Sequence, residues 1–185
     1  MPETIADVLA DLDRILAEAG ATFSLARYGL IAAGDFVAKS PRLPTNPDPT
    51  IRFGTGDPNT MDSRVFAQLK SSEMPAFVAD GGPAKALLGR QWAVYVYAEW
   101  ECLIRPRLAK ARGVQPNDVK VSVFGDLRRI RHDILHHRSV ATKEQAGQCE
   151  VLHWFQVGEL IVIEPTHVAN FGALVPWGPL EEGAE

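Results

Sequence analysis

The segment Val119–Arg138 reads VKVSVFGDLRRIRHDILHHR, and its apolar pattern predicts the helix around which the fold is built. With about 100° between successive residues of a helix, one narrow stripe contains Val123, Leu127, Ile130 and Ile134. We expect this stripe to face the core. A second apolar patch, formed by Phe124 and Leu135, lies about 100° further round the helix, and Arg131 lies between the two.

A long partner helix is predicted upstream, from about Ala84 to Arg112. Apolar residues occur nearly all round it, so we expect it to be the longest helix and to be buried on more than one side. Pro106 predicts a kink, because it removes the hydrogen bond to the carbonyl of Cys102. Gly113 ends this helix, and Gln115-Pro116-Asn117-Asp118 provides a turn and an N-cap for the next one.

Two long helices joined by such a short loop predict a mainly α fold, a helical bundle built on a long antiparallel helix pair. A short β-like run is predicted near the C-terminus, at Leu160–Ile163. At the other end of the chain, residues 3–19 predict an amphipathic helix that stops at Gly20. A weaker helix or an irregular turn is expected over residues 22–39.

The remaining segments are rich in turn-forming residues. The prolines from Pro41 to Pro58 predict a long surface loop, which belongs to a loop-rich insertion over residues 41–82. Within that insertion a short helix is predicted over residues 61–70. Further elements are expected towards the C-terminus: a helix over residues 144–155, a helical turn from Pro165 to Phe171, and a polar tail over residues 176–185.

The composition predicts a single cytoplasmic domain over residues 1–185. The hydrophobic content of 46% is enough for a core, and the acidic start Met1–Asp7 is unlike a basic signal peptide. No apolar stretch approaches the roughly 20 residues that span a bilayer, so no membrane partner is expected. A net charge of −4 argues against general nucleic-acid coating, so any RNA contact must be local. Cys102 and Cys149 match no metal or redox spacing and predict two buried thiols.

Three of the five histidines fall within residues 132–137, directly after Arg131. A guanidinium is always charged and an imidazole titrates near neutrality, so together these groups suit the chemistry of a phosphodiester. On an ideal helix Arg131 and His136 point about 140° apart. We therefore expect them to meet across the interface of a homodimer, formed by the second apolar patch, or where the helix end is distorted.

The run Arg131-His132-Asp133-Ile134-Leu135-His136 resembles the Arg-x4-His motif of the HEPN superfamily. The upstream stretch Tyr97–Arg105 is similar to the preceding helix of several bacterial HEPN proteins. Downstream, Leu152–Gly158 and the apolar run after it are similar to the segment that trails the motif in some of them. The resemblance covers about residues 84–170 and leaves residues 1–80 unexplained.

This resemblance implies a helical bundle that dimerises around the motif and cuts single-stranded RNA without a metal or another cofactor. His136 would exchange protons with the 2′-hydroxyl or the leaving oxygen, Arg131 would stabilise charge on the phosphate, and His132 would orient either Arg131 or the phosphate. Supporting roles are expected for further residues of the two helices: Glu99, Glu101, Arg128 and His137. The products would be a 2′,3′-cyclic phosphate and a 5′-hydroxyl.

Some HEPN ribonucleases act in toxin–antitoxin systems or phage defence, so an antitoxin or regulatory protein is a possible partner. Toxins that pair with a nucleotidyltransferase antitoxin often carry a tyrosine two residues past the histidine. Arg138 occupies that position here, which puts this form of regulation in doubt. Because His137 also gives an Arg-x5-His reading, which of the two histidines acts stays open.

Two other function classes fit the same residues. His132 and His136 stand at i, i+4 with Asp133 between them, a spacing that lets one helix face bind zinc in a hydrolase. The shorter Asp in place of Glu and the missing third ligand count against it. The other class is a HEPN-like binding or assembly module without activity, in which Arg131 pairs with Asp133, Glu99 or Glu101 at a buried seam.

Overall fold

The computed structural model describes residues 3–42, 44–57, 60 and 63–182, and these are mainly helical, as predicted. Its α-helices are α1 Ile5–Lys39, α2 Met74–Val78, α3 Pro83–Glu99, α4 Arg105–Arg112, α5 Ser122–His136, α6 Pro165–Phe171 and α7 Trp177–Glu182. Strands β1 Thr50–Thr55 and β2 Arg64–Lys70 form a small antiparallel sheet. Shorter helical pieces are the π-helical segment Trp100–Ile104 and the 3-10 helices Pro116–Asp118, Ala146–Gln148 and Gly172–Leu174.

The chain divides into two compact units. The first contains Met1–Leu25 and Leu87–Glu185, and the second contains Ala26–Ala86. The motif on α5 lies in the first unit, and the predicted loop-rich insertion lies in the second. The assignment of residues 1–185 to one domain stays a prediction.

The core of the first unit is built on the apolar stripe of α5. Val123, Leu127 and Ile130 are buried, as predicted, and Ile134 packs against the edge of this core. Phe124 is buried as well, with its ring stacked on Trp100 at 4.1 Å between centroids. The second apolar patch predicted from Phe124 and Leu135 is therefore wrong in part, because only Leu135 is exposed.

Helix α1 is the longest described helix, with 35 residues, and neither the stop predicted at Gly20 nor the weak helix after it is found. The apolar spacing explains the continuation. Ala19 and Phe23 extend the stripe of Leu12 and Ile15 by two more turns, and both are buried. A glycine within a helix costs only about 1 kcal/mol relative to alanine, which this burial offsets.

Residues 83–112 are helical throughout, in agreement with the helix predicted over residues 84–112, with the π-helical segment between α3 and α4. That segment lies just before Pro106, where a kink is predicted, and the Arg105 N–H donates to the carbonyl of Trp100. The wider turn relieves the backbone, because Pro106 has no N–H to donate to Cys102. Gly113 ends α4 in the left-handed region with φ 71°, as predicted.

Gly89 and Gly125 give a matched pair of helix variants with opposite expected effects. A Cβ on Gly89 would lie 2.6 Å from the carbonyl oxygen of Ile163, whereas a Cβ on Gly125 meets nothing within 4 Å. We expect Gly89→Ala to lower the free energy of unfolding by about 1–3 kcal/mol through overpacking. Gly125→Ala should raise it by up to about 1 kcal/mol, since alanine is the better helix former. Denaturant unfolding measures both, and a stabilised Gly89→Ala would contradict the close packing.

The helix predicted over residues 144–155 is wrong, because the structure has only the 3-10 turn Ala146–Gln148 there. Asp126 on α5 accepts hydrogen bonds from backbone N–H groups that would donate to carbonyl groups within such a helix. Its Oδ2 atom accepts hydrogen bonds from the N–H groups of Glu150, Val151 and Leu152, at 2.6–2.9 Å. Asp126 is 1% exposed, and its other oxygen accepts from Arg129 at 2.9 Å. The carboxylate thus holds the segment in an extended form.

The predicted helix over residues 119–138 is shorter in the structure. Gln115 and Asp118 form a capping box on a separate 3-10 helix, and α5 begins only at Ser122, with Val121 in the cap position. The β-like run predicted at residues 160–163 forms a single bridge, between Leu160 and Val140. Residues 165–171 form the predicted helical turn, α6.

Within the polar tail predicted over residues 176–185, Trp177–Glu182 form the helix α7, which packs on the first unit. Leu180 is buried in the core, and the Trp177 indole N–H donates to the carbonyl of Gly172. Residues 183–185 of the predicted tail lie outside the described residues. Among the helices that the structure describes, none combines the length and the apolar composition needed to cross a membrane.

The second unit contains the hairpin β1–β2 in place of the predicted loop and short helix. Thr50 pairs with Lys70 and Thr55 with Arg64, with an irregularity in register after Phe53. The loop prediction for residues 41–58 is therefore wrong over β1, and the helix prediction for residues 61–70 is wrong over β2. The β-branched and aromatic residues Ile51, Phe53, Val65 and Phe66 are the strand signal in these two segments. Pro58 and residues 61–62 lie outside the described residues.

The two thiols differ in exposure. Cys149 is buried, as predicted, and burial raises the pKa of its thiol to about 12. Cys102 is exposed, which corrects the prediction of two buried thiols. Neither forms a disulfide bond. Cys149 is therefore held as an unreactive thiol in the core.

Candidate functional site

Arg131 lies against the partner helix α3. Its guanidinium carbon is 5.3 Å from the centroid of the Tyr97 ring, a cation–π contact. Tyr97 is buried, and its hydroxyl donates a hydrogen bond to Glu101 at 3.3 Å. Burial and the Glu101 carboxylate raise the pKa of Tyr97, so the phenol stays protonated as this donor. The guanidinium is thereby held by an aromatic face instead of a carboxylate.

The three motif histidines cluster at the C-terminal end of α5. The His132 ring lies 4.6 Å from that of His136 and 5.4 Å from that of His137, between centroids. His132 is half-buried, whereas His136 and His137 are exposed. The predicted grouping of His132 with His136 at i, i+4 is therefore present, and His137 joins it because the helix ends at His136.

Two buried nitrogen atoms at this site have no hydrogen-bond partner within the described part of the chain. They are Nε of Arg131 and Nδ1 of His132, on adjacent residues. Buried polar atoms are nearly always satisfied, so an unsatisfied pair is a common mark of a functional site.

Asp133 does not pair with Arg131, one of the alternatives predicted from the sequence. It is fully buried, and its carboxylate accepts hydrogen bonds from the Thr142 N–H and hydroxyl and from the Ala146 N–H, at 2.8–3.0 Å. Both oxygens are engaged. Asp133 therefore anchors the segment after α5, and it is poorly available as a general base.

A metal could still be held at this end of the helix. Ligand atoms of His132, Asp133 and His137 all lie within 4.8 Å of one another. His137 takes the place that the sequence suggested for His136 in a zinc site. The donors already bound to Asp133 compete with a cation for its oxygens, which weakens this set as a closed site.

The backbone is strained directly after the motif. Arg138 and Ser139 have φ values of 53° and 62°, in the left-handed region that residues other than glycine rarely adopt. Ser139 is buried, and its hydroxyl accepts a hydrogen bond from Arg90 on α3 at 3.1 Å. This turn directs the chain back so that Thr142 reaches Asp133. It also fixes the end of α5, where His136 lies.

The supporting residues predicted from the sequence divide into two groups. Glu101 is engaged, because it accepts hydrogen bonds from Arg105 at 2.9 and 3.1 Å as well as from Tyr97. It therefore acts on Arg131 only through the Tyr97 ring. Glu99 is half-buried, and among the described residues no hydrogen bond or ion pair joins it to the motif. Arg128 is exposed, one helical turn before His132 and on the same face of α5.

Sequence reasoning missed Tyr97 and Asp126 as residues that build the site. Tyr97 was named only as the first residue of the stretch that resembles the HEPN helix, although its spacing of four residues from Glu101 is a signal that the two side chains share a helix face. Asp126 and Asp133 stand seven residues apart, two turns, on the side of α5 that carries the buried stripe. Acidic residues on an apolar face are rarely left unpaired. That pattern could have indicated their anchoring role.

An apolar groove of about 460 Å³ borders the motif between α3 and the end of α5. Its lining includes Leu87, Tyr95 and Leu135, which are 49%, 45% and 49% exposed. Trp92 and Trp100 of the same helical run are buried. Tyr95 and its neighbours in the groove therefore offer an apolar surface beside the motif.

Comparisons with protein-family models, with curated proteins and with solved structures gave no match to this chain. The function has therefore to be inferred from the residues and their geometry.

Proposed function

We propose that this protein is a metal-independent endoribonuclease of the HEPN type that cleaves single-stranded RNA at a dimer cleft. The observation that supports it best is the cluster of His132, His136 and His137 at the end of α5, next in sequence to Arg131. Nε of Arg131 and Nδ1 of His132 are also without a hydrogen-bond partner among the described residues. The reaction needs groups that hold the phosphate, here Arg131 and His132, and an imidazole that moves protons, here the exposed His136.

In the proposed reaction His136 accepts the proton of the 2′-hydroxyl as its oxygen bonds to phosphorus. The bond from phosphorus to the 5′-oxygen breaks, and that oxygen takes a proton from water to leave as a hydroxyl. Arg131 stabilises the additional negative charge on the phosphate while the new bond forms. His132 orients the phosphate or Arg131. Since the nucleophile is the 2′-hydroxyl, DNA resists cleavage, and the RNA product carries a 2′,3′-cyclic phosphate.

The proposed bundle rests on an antiparallel arrangement of α3 and α5. Three contacts support it: Trp100 stacks on Phe124, Tyr97 lies under Arg131, and Arg90 donates to Ser139. From one contact to the next, the residue number decreases from Trp100 to Arg90 while that of its partner increases from Phe124 to Ser139. This order is what two antiparallel neighbours produce.

The proposed dimer places a second copy of the chain in the apolar groove beside the motif. Leu135 and Tyr95 would be covered by their copies across a two-fold axis, because such an interface brings the same patch together from both subunits. A dimer would also account for the different directions in which Arg131 and His136 point from one helix. Arg131 is held on Tyr97 and His136 beside His132, so a partner's motif would complete the cleft.

A zinc-dependent hydrolase is the second candidate, favoured by the closeness of His132, Asp133 and His137. A non-catalytic HEPN-like binding module is the third. A cytoplasmic location and a role in a toxin–antitoxin system or phage defence, with an antitoxin as partner, belong to the first proposal. Those roles rest on the resemblance alone.

The proposal predicts cleavage of single-stranded RNA in the presence of EDTA. We expect a labelled RNA to give fragments with 2′,3′-cyclic phosphate ends, identified by mass spectrometry. The same oligonucleotide with one 2′-deoxyribose at the cleaved nucleotide should resist at that position, because it lacks the nucleophile.

Controls separate the candidates. Cleavage that EDTA abolishes and zinc restores, with stoichiometric zinc in the purified protein, would favour the hydrolase. RNA that binds without being cut would favour the binding module. Light scattering at micromolar concentration tests the dimer, and a mass of 20.3 kDa, that of one chain, would contradict the composite cleft.

A further inference from the structure

A second cleft opens on the first unit, beside the motif but separate from it. It has a volume of about 310 Å³ and is formed by the end of α3, the π-helical segment and the first turns of α5. Four cationic side chains line it, together with the acids Glu101 and Glu150: Arg105, Lys120, Arg128 and Arg129. In a chain with a net charge of −4, this is a local concentration of positive charge.

The four cations of this basic cleft are not equivalent. Arg105 is held by Glu101 and by the carbonyl of Pro116 at 2.7 Å, and Arg129 is held by Asp126. Lys120 and Arg128 are exposed, and neither has an acidic partner within 4 Å among the residues that the structure describes. Two cations are therefore fixed in the walls, and two are available for an external anion.

The basic cleft adjoins the motif through Tyr97. Tyr97 lines the cleft and carries the Arg131 guanidinium on its ring. Along α5, Arg128 precedes His132 by four residues and His136 by eight, so the three share one face. A helix rises about 6 Å over four residues and about 12 Å over eight. An extended strand bound at His136 would reach Arg128 within a few nucleotides.

The aromatic residues of the cleft cannot stack on bases. Trp100 and Phe124 stack on each other and are 3% and 1% exposed. Tyr97 is 9% exposed, and its ring is covered by Arg131. Base-stacking platforms require an open ring face, and the described lining residues offer none. The cleft is thus suited to phosphate rather than to bases.

We propose that the basic cleft binds a backbone phosphate of single-stranded RNA, next to the phosphate held at the motif, through Lys120 and Arg128. This inference rests on the proposed ribonuclease function. This contact recognises the charge and spacing of the phosphates and is independent of the base sequence. It contributes to affinity for the strand and not to the bond-breaking step.

The test measures RNA binding separately from cleavage. The double variant Lys120→Ala/Arg128→Ala is compared with wild-type protein by fluorescence anisotropy, using a labelled single-stranded RNA whose 2′-O-methyl groups prevent cleavage. We expect affinity to fall on the order of tenfold at low salt, and the slope of log affinity against log salt to become shallower by about 0.7 per lost contact. On cleavable RNA, KM should rise while kcat is retained.

The matched control is Lys70→Ala/Arg52→Ala, which removes the same two residue types from exposed positions on the hairpin of the second unit. It should bind RNA as wild-type protein does. Equal affinity and salt dependence for the cleft variant and the control would overturn the cleft proposal. If the cleft variant loses binding but wild-type protein cuts no RNA, the ribonuclease proposal fails and the phosphate site stands. If wild-type protein does not bind the RNA, both fail.

Discussion

His136→Ala is expected to lower the rate of RNA cleavage by about 10²–10⁴-fold, the usual contribution of a positioned acid or base. Arg131→Ala should lower it by about 10²–10³-fold, because a fixed donor to the transition-state charge is lost. Neither side chain belongs to the buried core: His136 is exposed, and Arg131 is half-buried on the Tyr97 ring. Both variants should therefore fold. The measurement is the initial rate with a fluorescent RNA in the presence of EDTA.

The double variant should lose little more activity than the less active of the two single variants, because the effects of residues that act in one step are not additive. His153→Ala and Arg52→Ala are matched controls, because both residues are exposed and neither belongs to the motif. His137→Ala decides which histidine acts, since it should retain most activity if His136 moves the proton. Unchanged cleavage in both His136→Ala and Arg131→Ala would show that the motif is not the active site.

Asp126→Ala and Asp133→Ala are each expected to lower the free energy of unfolding by about 3–5 kcal/mol. Each substitution leaves buried donors without an acceptor. At Asp126 these are the N–H groups of residues 150–152, and at Asp133 they are the groups of Thr142 and Ala146. An uncompensated buried N–H costs about 1–3 kcal/mol. Denaturant unfolding measures the change.

Glu144→Ala is the control for these two variants, because Glu144 is an exposed acid in the same segment. Its effect should stay within about 0.5 kcal/mol. The Asp133 variant also bears on the metal alternative. If Asp133 is a zinc ligand instead of an anchor, Asp133→Ala would lower zinc affinity and leave the stability of the zinc-free protein unchanged.

The candidate site was predicted well where it depends on one helix. The spacing of His132 and His136 and the buried stripe of α5 follow from the periodicity of that helix, and both are present in the structure. The role of Phe124 was not predicted correctly. Periodicity assigns a residue to a direction on the helix but does not say whether a neighbouring helix covers it. Trp100 does so here.

The errors in the fold arise from local signals that longer-range packing overrode. Gly20 marked a helix end, yet burial of Phe23 continues α1. Prolines predicted a loop over residues 41–58, yet β1 lies within that range and pairs with β2, which follows it. The preference against glycine is worth about 1 kcal/mol, so a single buried side chain can reverse it. The prolines lie outside β1 and β2 and do not oppose their pairing.

The sequence by itself determined the helix of the motif, its core-facing stripe, the end of α4 at Gly113 and the grouping of His132 with His136. All of these depend on residues within a few positions of one another. Only the tertiary structure decided that Tyr97 supports Arg131 and that Asp126 and Asp133 anchor residues 142–152. The physical reason is the nature of the partners. A carboxylate that accepts from backbone N–H groups leaves no mark in the sequence of its partner, because every residue except proline carries that donor.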